Sequence, residues 1–216
     1  MIPKHIFFSV QSTKKFNYIG EFNQCNQNGS GFFWYNDGSN YNGELLNGKK
    51  HGFGLSKFKD GSTYEGEWRF DKMHGFGKMN FSSSEYYSGN FFKNRMTGTG
   101  MFLWDDGKKY VGDFKNDSLS GSGELTLASG DRYCGEFKRD LFNGNGVYKW
   151  SNGNEYDGGW KSHKLNGQGI IKLSSGCKYE GLFKNDFYTK TGIFYNGNEK
   201  YFCFWKHKKL LKCTKL

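Results

Sequence analysis

Two histidines have a spacing that first suggests chemistry. His51 and His74 lie 23 residues apart, and imidazole nitrogens are common metal ligands. The same step of 23 residues recurs along the chain, and matching places in successive units are expected two β-strands apart, about 9–10 Å. One metal ion cannot take both rings at that distance. The five cysteines include no Cys-x-x-Cys pair and offer no ligand cluster, so we predict no metal and no cofactor.

Acidic residues recur with the same step. Paired carboxylates serve as general acid and base in many enzymes, but this column repeats without a distinct pocket. We therefore interpret it as a solvated, charge-balanced face. The column contains Glu21, Glu44, Glu67, Asp113 and Glu136. We predict no catalytic residues and expect that the chain is not an enzyme.

One glycine-lysine stretch has the outline of a phosphate-binding loop. Gly43 is followed after four residues by Gly48 and Lys49. In such loops a Ser or Thr comes next and binds magnesium, whereas this chain has Lys50 there. The stretch is also predicted to lie in a hairpin turn rather than between a strand and a helix. We therefore exclude a nucleotide-binding function.

The elements that carry these residues are copies of one unit. Tyrosine recurs eight times with a constant step, at Tyr18, Tyr41, Tyr64, Tyr87, Tyr110, Tyr133, Tyr156 and Tyr179. Glycine follows two residues later, and an aromatic residue two after that in seven copies, with Leu45 the exception. Such self-similarity predicts a repeat array, which we assign to residues 18–200. Residues 1–17 are a predicted leader that caps the array, and residues 201–216 a degenerate cap with a basic tail.

The second and third copies match a known pattern. They read YNGELLNGKKHGFGLSKFKDG and YEGEWRFDKMHGFGKMNF. This resembles the MORN (membrane occupation and recognition nexus) repeat, in which Tyr-x-Gly-x-Trp is followed by His-Gly-x-Gly and Asp-Gly. Ser84 and Lys190 depart from the pattern at glycine positions. The resemblance implies a non-enzymatic protein associated with membranes, the cytoskeleton, cilia or flagella, and several such proteins self-associate through their repeats.

Each unit is predicted to be a β-hairpin. The second strand of a unit alternates apolar and polar residues, which predicts a sheet with one apolar and one wet face. Four dipeptides are predicted turns because their turns need positive φ: Asp37-Gly38, Asp60-Gly61, Asp106-Gly107 and Asn152-Gly153. We therefore predict an all-β fold, an elongated single-layer antiparallel sheet of tandem hairpin repeats that forms a twisted ribbon.

The positive charge lies mainly at the two ends. The formal net charge is +10, but residues 18–200 contain 23 basic and all 21 acidic residues. Three lysines precede this range and five follow it. A protein that follows a phosphate backbone usually carries its charge along its body. We therefore expect no nucleic-acid partner.

Cysteine usage and hydropathy bear on location. The five cysteines are Cys25, Cys134, Cys177, Cys203 and Cys213. An odd number without a secretory signal favours reduced thiols in the cytosol. We also expect no segment that spans a bilayer, because no apolar run is long enough. The expected location is cytoplasmic, with cytoskeletal, ciliary and membrane-peripheral settings left open.

Two surfaces are predicted to bind partners. Rings on the apolar face would line a groove for an extended or helical protein segment, with Phe102, Trp104, Tyr148 and Trp150 as the predicted contacts. The chain would then be a scaffold or adaptor for a protein, and a homodimer through the repeats stays open.

The alternative is a peripheral membrane protein. Toward the C-terminus the basic column loses its acidic neighbours, and such lysines attract anionic phospholipids, including phosphoinositides. The predicted contacts are Lys161, Lys184, Lys206, Lys208, Lys209 and Lys212.

Overall fold

The computed structural model of the chain describes residues 7–23, 26–206 and 208–216. The described residues form strands and turns without any helix, so none of them belongs to a helix that could cross a membrane. Residues 1–6 of the predicted leader and Cys25 lie outside the described part. The chain divides into two compact units, the first ending at Asp105 and the second beginning at Asp106.

In the described part of the first unit, the strands are β1 (Phe7–Ser12), β2 (Phe16–Asn23), β3 (Asn26–Tyr35), β4 (Asn40–Leu46), β5 (Lys49–Lys57), β6 (Thr63–Arg69), β7 (Lys72–Asn80), β8 (Tyr86–Phe92) and β9 (Arg95–Leu103). Those of the second unit are β10 (Lys109–Lys115), β11 (Ser118–Thr126), β12 (Arg132–Lys138), β13 (Leu141–Lys149), β14 (Glu155–Lys161), β15 (Lys164–Lys172), β16 (Lys178–Lys184), β17 (Phe187–Asn196), β18 (Glu199–Lys206) and β19 (Lys209–Lys215). Within each unit, every strand pairs antiparallel with the next. The prediction of an all-β array of hairpins is confirmed.

Each repeat tyrosine lies over a pair of glycines. Gly66 and Gly77 stand opposite each other in β6 and β7, and a Cβ added to Gly77 would collide with the Tyr64 hydroxyl. The glycines therefore leave room for the ring, which is fully buried. Its edge meets the Trp68 ring at 5.0 Å and, in the next repeat, the Phe91 ring at 5.0 Å. Such edge-to-face contacts continue the core from one repeat to the next.

The turns differ from the sequence prediction in one respect. In the predicted Asp-Gly turns only the glycine has positive φ, as at Gly38 (90°) and Gly61 (89°). The two-residue turns with positive φ at both places lie inside the second to eighth repeats, for example at Arg139 (51°) and Asp140 (67°). This is the geometry of a type I′ hairpin turn. Sequence reasoning missed it because the residues there are seldom glycine.

The expectation of reduced thiols is wrong for two of the cysteines. β18 and β19 place Cys203 opposite Cys213, and the two form a disulfide. Cys134 and Cys177 are free. The sequence could not show the pairing, because it depends on β19, which was predicted to be a basic tail.

Candidate functional site

Four carboxylates of the acidic column each stabilise a bulge in their own hairpin, so the column is more than a solvated face. Glu67 Oε1 accepts a hydrogen bond from the Phe76 backbone N–H at 2.9 Å, where the register between β6 and β7 shifts. A Cβ at Gly75 would collide with that carboxylate. The same bond joins Glu44 to Phe53, Asp113 to Ser122 and Glu136 to Asn145, at 2.8–2.9 Å. These carboxylates thus accept hydrogen bonds from backbone N–H groups that the bulge leaves without a partner on the neighbouring strand.

The eighth residue of a repeat, counted from its tyrosine, ties it to the preceding repeat. The Leu119 N–H donates to Asp140 Oδ1 at 2.8 Å, and the Asp140 N–H donates back to the Leu119 carbonyl at 3.0 Å. The same pair of bonds joins Lys50 to Asp71, Met73 to Asn94 and Leu165 to Asp186. We name this arrangement the inter-repeat clamp. The bond to the side chain of the eighth residue fixes the turn of its repeat on a strand of the preceding repeat.

The two histidines belong to ring pairs. His51 packs against Phe70 with ring centroids 4.9 Å apart, and His74 against Phe92 at 5.1 Å. The Nδ1 atom of each histidine is buried and has no hydrogen-bond partner. Across the described ranges, no group of three or more His, Cys, Asp or Glu side chains could hold a metal ion.

An open apolar groove of about 460 Å³ lies in the last repeats of the second unit. We call it the C-terminal groove; its lining includes Leu173, Tyr179, Tyr188, Tyr201, Trp205 and Leu210. The rings of Tyr188 and Trp205 stack at 4.6 Å. Leu173 and Leu210 are exposed. The lining therefore leaves apolar surface open to a ligand.

Two buried donors of this groove have no hydrogen-bond partner among the described residues. In the other seven repeats the tyrosine hydroxyl donates to the carbonyl three residues later, as Tyr133 does to Glu136 at 3.0 Å. Tyr179 does not, and both its hydroxyl and Trp205 Nε1 are buried without a hydrogen bond. Burial raises the pKa of Tyr179, and the Trp205 indole, which approaches the hydroxyl without reaching hydrogen-bond geometry, offsets part of that rise. One departure from the repeat pattern, at Lys190, marks this repeat as different in the sequence.

The four predicted groove residues differ in exposure. Phe102 is buried against the Trp104 ring at 4.5 Å, and Trp104, Tyr148 and Trp150 are half-buried. Tyr148 packs on Trp150 at 4.8 Å and donates to Asp131 Oδ2 at 3.0 Å. Burial and the Asp131 carboxylate raise the pKa of Tyr148 to about 12. Their role as partner contacts stays a prediction.

Comparison with protein families decides the identity of the repeats. The family model of the MORN repeat matches residues 18–40, 41–63, 64–85, 87–109, 110–132, 133–155 and 156–178. The chain belongs to the MORN-repeat family. The inter-repeat clamp and the carboxylates at the bulges are therefore features of MORN repeats as this chain builds them. No functionally curated protein matches the chain.

Two solved structures resemble this MORN array. A point mutant of the TCP10 domain of CPAP from Danio rerio has a TM-score of 0.51 and 9% identity, covering 96% of this chain and 99% of that one. The TCP domain of SAS-4 (dCPAP) from Drosophila melanogaster, in complex with a proline-rich motif of Ana2 (dSTIL), has a TM-score of 0.45 and 13% identity, covering 72% and 85%. At these identities the first likeness shows the fold alone.

The second MORN repeat contains a lysine at a place where six other repeats have an apolar residue. The tenth residue of a repeat is apolar in six copies, at Met73, Met96, Leu119, Phe142, Leu165 and Tyr188. In the second repeat it is Lys50, whose Nζ lies 4.9 Å from the Tyr41 ring centroid and 4.6 Å from that of Trp68. Burial lowers the pKa of Lys50 to about 8, against a smaller opposing effect of Asp71. Its polar type among apolar equivalents is a signal that sequence reasoning missed.

The six predicted lipid-binding lysines are exposed but do not form one cluster. Lys184 and Lys208 line one open cavity of about 310 Å³, together with Lys190. Lys208 Nζ also lies 3.7 Å from the centroid of the Phe187 ring. Lys206 stands opposite Lys209, and Lys212 opposite Phe204, in the β18–β19 pair. Lys161 ends β14, in a different repeat.

Proposed function

We propose that this MORN-repeat protein is a non-enzymatic scaffold that binds a protein partner through its repeats. The observation that carries the proposal is the open C-terminal groove, whose lining consists mainly of aromatic rings and aliphatic side chains, two of them exposed leucines. Concave apolar surface with a few polar groups is typical of binding sites. We place the scaffold in the cytoplasm, with a cytoskeletal, ciliary or membrane-peripheral assembly as its setting.

The groove suits an extended segment of a partner protein. Such a segment would cover the rings of Tyr188 and Trp205, and aromatic residues of this kind commonly dominate binding energies. Ile171 and Leu173 line the groove, and Tyr148 and Trp150 occupy the same positions one repeat earlier. These two rings would extend the contact.

The test uses two neighbouring leucines of β19. Leu210 lines the groove and Leu211 does not; both are exposed, at 49% and 62%, so neither change should unfold the chain. A protein captured with the intact chain from its source cells is purified, and its affinity is measured by calorimetry. We expect Leu210→Lys to weaken binding by about tenfold or more and Leu211→Lys to leave it unchanged. Equal binding by both variants would rule out the groove.

A second candidate function is binding to anionic membranes. It rests on the cavity that Lys184, Lys190 and Lys208 share, because each basic group near such a surface contributes about 1 kcal/mol. Co-sedimentation with phosphatidylcholine vesicles, with and without phosphatidylserine, tests it. We expect binding to increase with the anionic fraction and to fall when the three lysines become glutamine. Binding that ignores lipid charge would end this proposal.

A further inference from the structure

A second cavity, in the first unit, combines positive charge with exposed aromatic rings. It is open, has a volume of about 490 Å³, and is lined by Arg69, Phe70, Lys72, His74, Phe92 and Lys93. We call it the basic-aromatic cavity. It lies between the hairpin turns of the third and fourth repeats, far in sequence from the C-terminal groove.

Phe70 is an unfavourable residue for its backbone. Its φ is 49°, in the left-handed region that a bulky side chain rarely adopts. At the same place three other repeats have asparagine, at Asn47, Asn116 and Asn185, and asparagine tolerates this region. The ring is nonetheless 48% exposed. A strained and exposed ring weakens the fold, and such strain is often found at binding sites.

Phe92 is a second exposed phenylalanine, on the other side of the cavity. It is 52% exposed, and the corresponding residue is lysine in each of the next four repeats: Lys115, Lys138, Lys161 and Lys184. Two large apolar side chains therefore occupy exposed places where most copies have polar ones. Phe70 packs on His51 and Phe92 packs on His74, and these contacts hold the two phenylalanine rings at the cavity.

The cations of the cavity lack counter-ions. Arg69 and Lys72 stand directly opposite each other in the β6–β7 pair, an arrangement of like charges that destabilises a sheet. Within the described ranges, neither they nor Lys93 form an ion pair. The nearby carboxylates of Glu67 and Asp71 accept backbone N–H bonds instead. A ligand that brings negative charge would therefore meet uncompensated positive charge.

The second unit contains the matching cavity without rings. Its lining residues occupy the same six repeat positions: Lys115, Asn116, Ser118, Ser120, Lys138 and Arg139. Three cations remain in that cavity, but both phenylalanines and the histidine are replaced by polar residues. The chain thus provides its own control, a basic cavity that folds in the same way and has no aromatic side chain in its lining.

We propose that the basic-aromatic cavity binds an acidic peptide segment of a partner protein, with an apolar side chain of that segment packed between Phe70 and Phe92. Carboxylates on either side of the apolar residue would pair with Arg69, Lys72 and Lys93. A flat lipid surface would satisfy the charges but would not place an apolar side chain between the two rings of this recessed cavity, so the geometry favours a peptide.

The experiment is a selection from a displayed library of random peptides of about a dozen residues, with the intact chain as bait. Enriched peptides are synthesised, and their affinities are measured by fluorescence anisotropy. We expect enriched peptides to place an aromatic or aliphatic residue among Asp and Glu. We expect binding to fall at least about tenfold in the variant Phe70→Asn/Phe92→Lys, and to weaken as salt is added.

The variant and its control separate binding from folding. Asparagine and lysine are the residues that other repeats have at these places, so the variant should melt no lower than the native chain. The control Lys138→Gln/Arg139→Asn changes the matching cavity and should bind the peptides normally. The proposal fails if the enriched peptides are not acidic, or if the cavity variant binds them as well as the native chain. It also fails if only vesicles containing phosphatidylserine bind in a manner that depends on Phe70 and Phe92.

Discussion

Lys50 donates a hydrogen bond from Nζ to the Ser56 hydroxyl at 2.9 Å, between the rings of Tyr41 and Trp68. Ser56 is buried at 2% exposure and donates in turn to the Asn40 carbonyl. The third repeat has methionine at both corresponding places. The second repeat therefore replaces an apolar contact with a polar pair inside its core.

We expect Lys50→Met to stabilise the protein at neutral pH. A buried ammonium loses hydration, and the surrounding rings return only part of that free energy. The gain in the free energy of unfolding should be on the order of 2 kcal/mol, measured by urea denaturation. The double variant with Ser56→Met, which copies the third repeat, should gain at least as much. A less stable Lys50→Met variant would show that the polar pair stabilises the core.

The same variant should respond to pH in a defined direction. The pKa of Lys50 is lowered to about 8, whereas an unfolded lysine titrates near about 10.4. Between these values the unfolded chain holds a proton that the folded chain has released, so the stability contributed at Lys50 rises with pH. The advantage of Lys50→Met should therefore shrink between about pH 7 and pH 9.5, measured from the midpoints of parallel urea curves. An advantage that is constant with pH would contradict the lowered pKa.

We expect His163→Asp to strengthen an inter-repeat clamp. His163 Nδ1 accepts from the Phe142 N–H at 3.4 Å, whereas aspartates at the same place accept at 2.8–2.9 Å. The replacement should raise the free energy of unfolding by about 1 kcal/mol, measured by thermal melting near neutral pH. Burial also lowers the pKa of His163. The stability that depends on its neutral form is present above the unfolded pKa and is lost as pH falls through the folded value. As pH falls from neutral through the folded-state pKa of His163, the wild type should therefore lose more stability than the variant.

The carboxylates at the bulges can be tested with two glutamates of one strand. Glu67 accepts the Phe76 N–H, while Glu65 is exposed on the same strand. We expect Glu67→Ala to lower the free energy of unfolding by about 1.5–3 kcal/mol, because a charge-assisted bond to the backbone is lost. Glu65→Ala should change it by less than about 0.5 kcal/mol. Similar effects from both, measured by urea denaturation, would show that the bulge does not need its carboxylate.

Two tyrosine hydroxyls should differ in their effect. Tyr133→Phe removes a bond to the Glu136 carbonyl at 3.0 Å and should lower the free energy of unfolding by about 1 kcal/mol. Tyr179→Phe removes a buried hydroxyl without a partner, so the native fold should lose nothing or gain slightly. Thermal melting of the two variants tests this. If Tyr179→Phe destabilises as much as Tyr133→Phe, its hydroxyl has a bond in solution.

The spacing of aromatic residues and glycines was enough to predict the hairpins. A side-chain period of two places Tyr64, Gly66 and Trp68 on one face, and the glycine pair then accepts the ring. Those relationships are local, so the sequence of a single repeat is enough to show them.

The candidate sites depend on strand register and on contacts between neighbouring repeats, which a sequence pattern does not show. The bond from Phe76 to Glu67 needs the register shift of a bulge, and the disulfide needs the pairing of β19. The basic-aromatic cavity needs the turns of two repeats side by side. Phe70 could have been singled out only as a departure from the residues of other copies, together with the φ of its turn.

The inter-repeat clamp also determines how such a chain can change in length. At the junctions where the clamp is described, a repeat receives its bonds from the eighth residue of its successor, as from Asp71, Asn94, Asp140 and Asp186. A duplication or loss of 23 residues between such repeats therefore recreates the same bonds at the new junction. An insertion or deletion that is not a whole number of repeats leaves a backbone N–H without its side-chain acceptor at the new junction. Inheritance can thus lengthen or shorten the array by whole units without adjusting the neighbours, and the basic-aromatic cavity shows how one copy can then acquire a surface of its own.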